Sequence, residues 1–200
     1  VNFIAHIHLS GDDEALMVGN YIADLIRQKD MVSLPPDILN GVMLHRFIDT
    51  YTDAHIINKN TLDLLYERHR KYAPVLLDIY YDFFLIRHWN MFSVREFRNV
   101  CDQTYLSLSR RLEEIPLTAQ ANIKNLLQKR WLTSAYGSIA GLEKTFYFLR
   151  QRMSKPEYIQ GATQTLIDLD AELNEAFLSF YPQLISTVDD YMTEINLDRY

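Results

Sequence analysis

The sequence predicts an all-α fold, and three observations carry that prediction. Six glycines and six prolines in 200 residues leave little material for the many tight turns of a β protein. No run sustains the apolar–polar alternation of a half-buried strand. Apolar residues recur instead at three- and four-residue spacings, bounded by helix start and stop signals.

The opening, VNFIAHIHLS, is a short apolar run broken by two histidines, without the basic leader of a secretory signal. His6 and His8 share a face if this run is extended and diverge if it is helical. Residues 11–28 follow helical spacing through Leu16, Ile22 and Leu25, behind an acidic start at Asp12 and Asp13. Pro35-Pro36 interrupts the chain and restarts it, since proline is tolerated in a first helical turn. From Asp37 to about Ala54 the set Ile38, Val42, Leu44, Phe47, Ile48 and Tyr51 keeps a helical period. Asn58 to Tyr72 follows, its end basic at Arg68-His69-Arg70-Lys71, as suits a helix C-terminus.

Pro74 opens PVLLDIYYDFFLIRHW, the most apolar stretch and a helix buried on most sides. Ser93 with Glu96 three residues on reads as a capping box, starting a helix to about Glu114, before Pro116. Thr118 to Trp131, Gly137 to Met153, and Glu157 to about Tyr191, the last broken at Pro182, complete the set. With no repeat, linker or composition shift, residues 1–200 form a single-domain bundle of roughly seven or eight helices.

Net charge −6 argues against a nucleic-acid binder, which needs a broad basic surface. The lone Cys101 gives no intrachain disulfide. No stretch approaches the ~18 apolar residues of a membrane span, so the expected location is the cytoplasm.

The chemistry gathers in the first ninety residues. On a helix, positions four apart share a face. His45, Asp49 and Asp53 form such a ladder, Asp78 and Asp82 a second, Asn20 and Asp24 a third. Aspartates one turn apart most often mark a solvated face. Asp78 and Asp82 lie among Leu76, Leu77, Ile79, Tyr80, Tyr81, Phe83, Phe84 and Leu85, where unpaired carboxylates cost several kcal/mol. An arginine, a histidine or a divalent cation must neutralise them, and hard cations favour this mixture of oxygen with imidazole. His69 and His55 read as surface residues, and His88 is left open. Arg46 reads either as an ordinary surface arginine or, beside His45, as a fork of donors for a bound phosphate. No HExxH, paired ExxH, Walker loop, GxGxxG or Gly-x-Ser-x-Gly motif is present.

The blocks NFIAHIHLS, GNYIADLIR, PPDILNGVMLHRFIDTYTDAH and LLDIYYDFFLIRHW, in this order and spacing, resemble the acyl-carrier-protein phosphodiesterase family. WLTSAYGSIAGLEKTF and FLSFYPQL fit more loosely. That family is regarded as a divergent branch of the helical HD-type metal phosphohydrolases. The resemblance implies hydrolysis of the phosphodiester joining phosphopantetheine to a carrier-protein serine, dependent on Mn²⁺ or Mg²⁺. Where HD enzymes use an adjacent His-Asp pair, this chain has His45-Arg46, and the aspartate follows at Asp49.

Carried onto this sequence, the resemblance implies His45, Asp49, Asp24 and Asp78 as metal ligands, with Asp82 a secondary candidate. Asp53, two turns or ~12 Å from His45, is too far to share its ion easily and is expected either to support the ligands or to orient substrate. A divalent ion activates water for attack on phosphorus, Arg46 meets the developing charge, and His6 is the candidate acid for the serine oxygen. The expected partner is an acyl carrier protein. The basic clusters Arg68-Arg70-Lys71, Arg110-Arg111 and Lys129-Arg130 read as helix-end charges rather than a docking site. A hydrolase of small phosphoesters, and a helical binding module without metal, are the alternatives. The sequence gives no oligomeric state.

Overall fold

The structure, a computed structural model, describes residues 1–195. All regular elements among them are helical. They are α1 (Phe3–Leu9), α2 (Glu14–Ile22), α3 (Pro36–Ala54), α4 (Ile56–His69), α5 (Ala73–Arg87), α6 (Trp89–Phe92), α7 (Phe97–Arg110), α8 (Leu117–Lys129), α9 (Leu132–Ala135), α10 (Ile139–Arg150), α11 (Ala162–Asp168) and α12 (Asp170–Glu194), with short 3-10 turns between several of them. The all-α expectation holds, but twelve α-helices replace seven or eight. The extra ones are short: the opening run is the helix α1, α6 and α9 are single turns, and the last stretch divides into α11 and α12. No helix among the described residues is long and apolar enough to cross a membrane.

α5 is the central element, with Leu76, Leu77, Ile79, Tyr80, Tyr81, Phe83, Phe84 and Leu85 all buried. Against it lie the aromatic rings of α12, Phe177, Phe180 and Tyr181, with Tyr81 5.6 Å from both Phe177 and Phe180 between ring centres. This packing explains why Pro182 does not end α12, which continues to Glu194. An internal proline costs about 3 kcal/mol, yet Phe177, Phe180 and Tyr181 before it and Leu184 and Val188 after it are all buried. Breaking the helix would expose one side of that set. The Ser93 capping box does not form either. α7 starts at Phe97, and Ser93 Oγ accepts from Arg95 N in a tight local turn.

α2 and α3 make the closest helix crossing, and two glycines permit it. A Cβ on Gly19 would lie 2.0 Å from Ile38 O, and one on Gly41 2.4 Å from Leu16 O. Any side chain at either position would force the helices apart. Asn20 follows Gly19 directly, and His45 lies one turn after Gly41. The glycine contact therefore sets how closely α3's imidazole approaches α2's backbone.

Candidate functional site

Three helices bring four polar side chains together where α1, α2 and α3 meet. Because the opening run is helical, His6 and His8 diverge. His8 turns to Tyr181 Oη (2.9 Å) and Phe92 O (3.0 Å), while His6 turns to α2 and α3. The His6 and His45 rings stack 4.0 Å apart, 16° from parallel, and both are buried.

At the back of this stack sits Asn20, fully buried. Its Nδ2 donates to His6 O (2.9 Å) and Ser10 Oγ (3.0 Å), and Ser10 Oγ donates to His6 O (2.8 Å). A carbonyl oxygen only accepts, so the amide nitrogen must face that way and Oδ1 must face the rings. Oδ1 lies 2.8 Å from His6 Nδ1 and 3.1 Å from His45 Nδ1, and Asn20 O lies 2.8 Å from His45 Nδ1. Both Nδ1 atoms face acceptors and both must carry the hydrogen.

That fixes the front of the stack. His6 Nε2 lies 3.2 Å from Asp49 Oδ1. His45 Nε2 lies 3.0 Å from Asp49 Oδ2 and 3.2 Å from Asp24 Oδ1. In neutral rings these are lone pairs facing carboxylate oxygens, an arrangement only a cation relieves, either a proton or a metal ion. Burial pulls His45 down, but hydrogen bonds and charge from Asp24 and Asp49 outweigh it and raise the group to about 9. Burial, joined by the charge of His45, lowers His6 to about 4 against the pull of Asp49. Burial works against the Asp49 carboxylate, yet the two imidazoles hold it below its ordinary value. Positive charge in this group is therefore favoured on His45 over His6. The carboxylates face outward, Asp49 42% and Asp24 69% exposed at the side chain.

His6, His45 and Asp49 each offer a ligand atom within 4.8 Å of the others. Two imidazole nitrogens and a carboxylate oxygen suit a divalent first-row ion, and ligating histidines usually donate their second ring N–H to a fixed acceptor, as both do here. The donor set fits such an ion.

The expected site residues divide. Asp24, His45 and Asp49 come together as the ladders implied, although α2 ends at Ile22 and Asp24 stands in a 3-10 turn, off Asn20's helix. His6 joins them as a fourth member of the cluster. Asp78 is not part of the His6–His45–Asp49 group; its Oδ1 lies 2.5 Å from the backbone nitrogen of Val1. Asp82 is fully buried and accepts from Ile4 N (2.8 Å) and Ala5 N (3.0 Å). Both its oxygens are used by the first turn of α1, which corrects its reading as a ligand. Asp53 is exposed near the end of α3. Arg46 is exposed and donates to Met31 Sδ (2.9 Å).

His69 corrects the surface reading: it is buried, its Nδ1–H donating to Tyr158 O (2.6 Å) and its Nε2 accepting from Thr165 Oγ1 (2.9 Å). His55 caps α4, accepting from Ile57 N, and His88 pairs with Asn174 Oδ1. Four arginines of the basic clusters form ion pairs within the fold, Arg68–Asp168, Arg110–Glu14, Arg111–Asp37 and Arg130–Asp102. Sequence reasoning missed Asn20 as the hub and Ser10 behind it. The available signal was an amide inside the otherwise apolar helix ALMVGNYI, where only a polar partner makes burial tolerable.

The family model described as acyl carrier protein phosphodiesterase matches residues 1–184. A Yersinia pestis protein of that name is 27% identical over 189 residues, covering 92% of this chain and 96% of its own. One from Escherichia coli O6:K15:H31 is 29% identical over 193 residues, with coverage of 92% and 96%. One from Serratia proteamaculans is 27% identical over 193 residues, with coverage of 95% and 98%. No solved structure gives a significant match.

Proposed function

The chain belongs to the acyl carrier protein phosphodiesterase family, and from that premise we propose that it hydrolyses the phosphodiester between phosphopantetheine and a carrier-protein serine. The products are apo-carrier and phosphopantetheine. The observation that carries this reading is the convergence of His6 Nε2, His45 Nε2 and Asp49 with both Nδ1 atoms already occupied.

His6, His45 and Asp49 would hold a divalent ion, Mn²⁺ or Mg²⁺, with the exposed Asp24 beside them. When bound, such an ion supplies Lewis acidity and charge neutralisation at a phosphoryl group. Asp49, one turn after His45, takes the part that an adjacent aspartate plays in HD-type enzymes. Asn20 keeps both basic nitrogens aimed forward, so no ring has to turn when substrate arrives. Arg46 meets the anionic diester: a thioether is a weak acceptor, so giving up Met31 for a phosphate oxygen costs little. Asp53, further along α3, orients the carrier or its arm.

Mass spectrometry of a holo-carrier incubated with the protein and manganese tests the proposal. Loss of the phosphopantetheine mass is the expected result. An intact carrier, beside hydrolysis of small phosphoesters, would move the assignment to those substrates. Inactivity on both, with no manganese bound, would leave a helical binding module.

A further inference from the structure

The hub behind the two histidines has a consequence for each ring separately. His6 Nδ1 meets one acceptor, Asn20 Oδ1 (2.8 Å). His45 Nδ1 meets two, Asn20 Oδ1 (3.1 Å) and the Asn20 backbone oxygen (2.8 Å). The backbone oxygen survives any substitution at position 20; the side-chain oxygen does not. The side chain's direction is fixed from behind, because Nδ2 is committed to His6 O and Ser10 Oγ. The approach of α3 to α2 is fixed by Gly19 and Gly41, which admit no Cβ.

We propose that Asn20 is the positioning residue of this site, its side chain holding His6 in the Nδ1–H tautomer while its backbone oxygen independently holds the Nδ1 proton of His45, so that both Nε2 atoms converge beside Asp49. The inference rests on the reading of His6, His45 and Asp49 as the reactive centre. Its immediate content, which nitrogen of which ring carries hydrogen, is measurable without metal or substrate. A residue serving only to fill or tie the core would affect stability and leave the tautomers alone. Asn20 acts on them one at a time.

Long-range ¹H–¹⁵N spectra of the metal-free, histidine-labelled protein test this at neutral pH. In the native chain His6 is expected with hydrogen on Nδ1 only, and His45 with hydrogen on Nδ1. Asn20→Ala should shift His6 toward the Nε2–H form while His45 keeps its Nδ1 hydrogen. Asn20→Asp, which keeps an acceptor at Oδ1, should restore Nδ1–H at His6. Calorimetric titration with Mn²⁺ should show about 10–100-fold weaker binding in Asn20→Ala. His6 found as Nε2–H in the native chain overturns the proposal with no variant needed. So does an unchanged His6 tautomer in folded Asn20→Ala, or equal disturbance of both rings. If the native tautomers are as stated and Mn²⁺ does not bind, the functional reading falls while the role of Asn20 stands.

Discussion

Helices α3 and α5 each carry aspartates one turn apart, and one from each, Asp49 and Asp82, meets α1, yet the two meet opposite kinds of neighbour. On α5, the oxygens of Asp82 accept from two backbone N–H groups, Ile4 and Ala5. On α3, the oxygens of Asp49 face Nε2 atoms of rings whose other nitrogens are occupied. A carboxylate whose two oxygens each meet a fixed backbone donor serves structure. A carboxylate facing lone pairs demands a cation and becomes chemistry. The two are linked through α1, for Asp82 pins its first turn and His6 follows two residues after Ile4. The buried ladder thus holds the helix that the exposed ladder uses.

The largest expected effect is on the α3 side. Asp49→Asn should lower phosphodiesterase turnover by more than about 100-fold, since removing a group at the centre exceeds the loss from its supports. On the α5 side the effect should fall on stability. Asp82→Ala leaves two buried N–H groups without acceptors, a cost of about 3 kcal/mol, or roughly 6–12 °C in Tm for a chain of this size. Calorimetry and turnover measured on both variants make a two-by-two comparison. Asp82→Ala that abolishes turnover without moving Tm would erase the distinction between the helices.

Gly19→Ala probes what lies between them. Its Cβ would meet Ile38 O at 2.0 Å, and relieving such overpacking typically costs about 1–3 kcal/mol. Because Asn20 is the next residue, the same displacement should weaken Mn²⁺ binding, read by titration of the folded fraction. A glycine important only for stability would lower Tm and leave the metal affinity intact.

The ladders show how much of this was legible. Spacing alone puts His45 and Asp49 on one face, and the structure brings them together with Asp24. The same rule gives Asp78 and Asp82 one face, but periodicity carries no information about what packs opposite. Asp82's partner is backbone N–H on a helix some eighty residues away in sequence, and backbone donors leave no mark in a composition. α1 itself was ambiguous because seven residues are too few to separate a helical period from an extended one. Asn20 was visible as a polar residue among apolar neighbours, but its four-way role needed the Gly19–Gly41 crossing. Local propensity misjudged Pro182, since long-range aromatic packing outweighs the proline penalty there.

The contrast between satisfied and frustrated groups extends to the buried histidines, and here the expected effect is smallest. His69 is as buried as His6 and His45, but both its nitrogens meet neutral partners, Tyr158 O and Thr165 Oγ1. Burial, with Arg68 nearby, holds its pKa below the ordinary 6.5, against the pull of the Tyr158 hydrogen bond. A depressed histidine favours the fold above the unfolded value, and that contribution drains away as pH falls, because the unfolded chain binds the extra proton. His6 acts in the same direction and His45 in the opposite one, so the slope of the native chain alone does not isolate His69. The difference from His69→Gln does: between about pH 7 and about pH 5 the native Tm should fall more steeply than the variant's. Equal slopes would mean that His69 accepts a proton within the fold. The neutral tie between α4 and α11 would then differ less from the site's histidines than their hydrogen bonds imply.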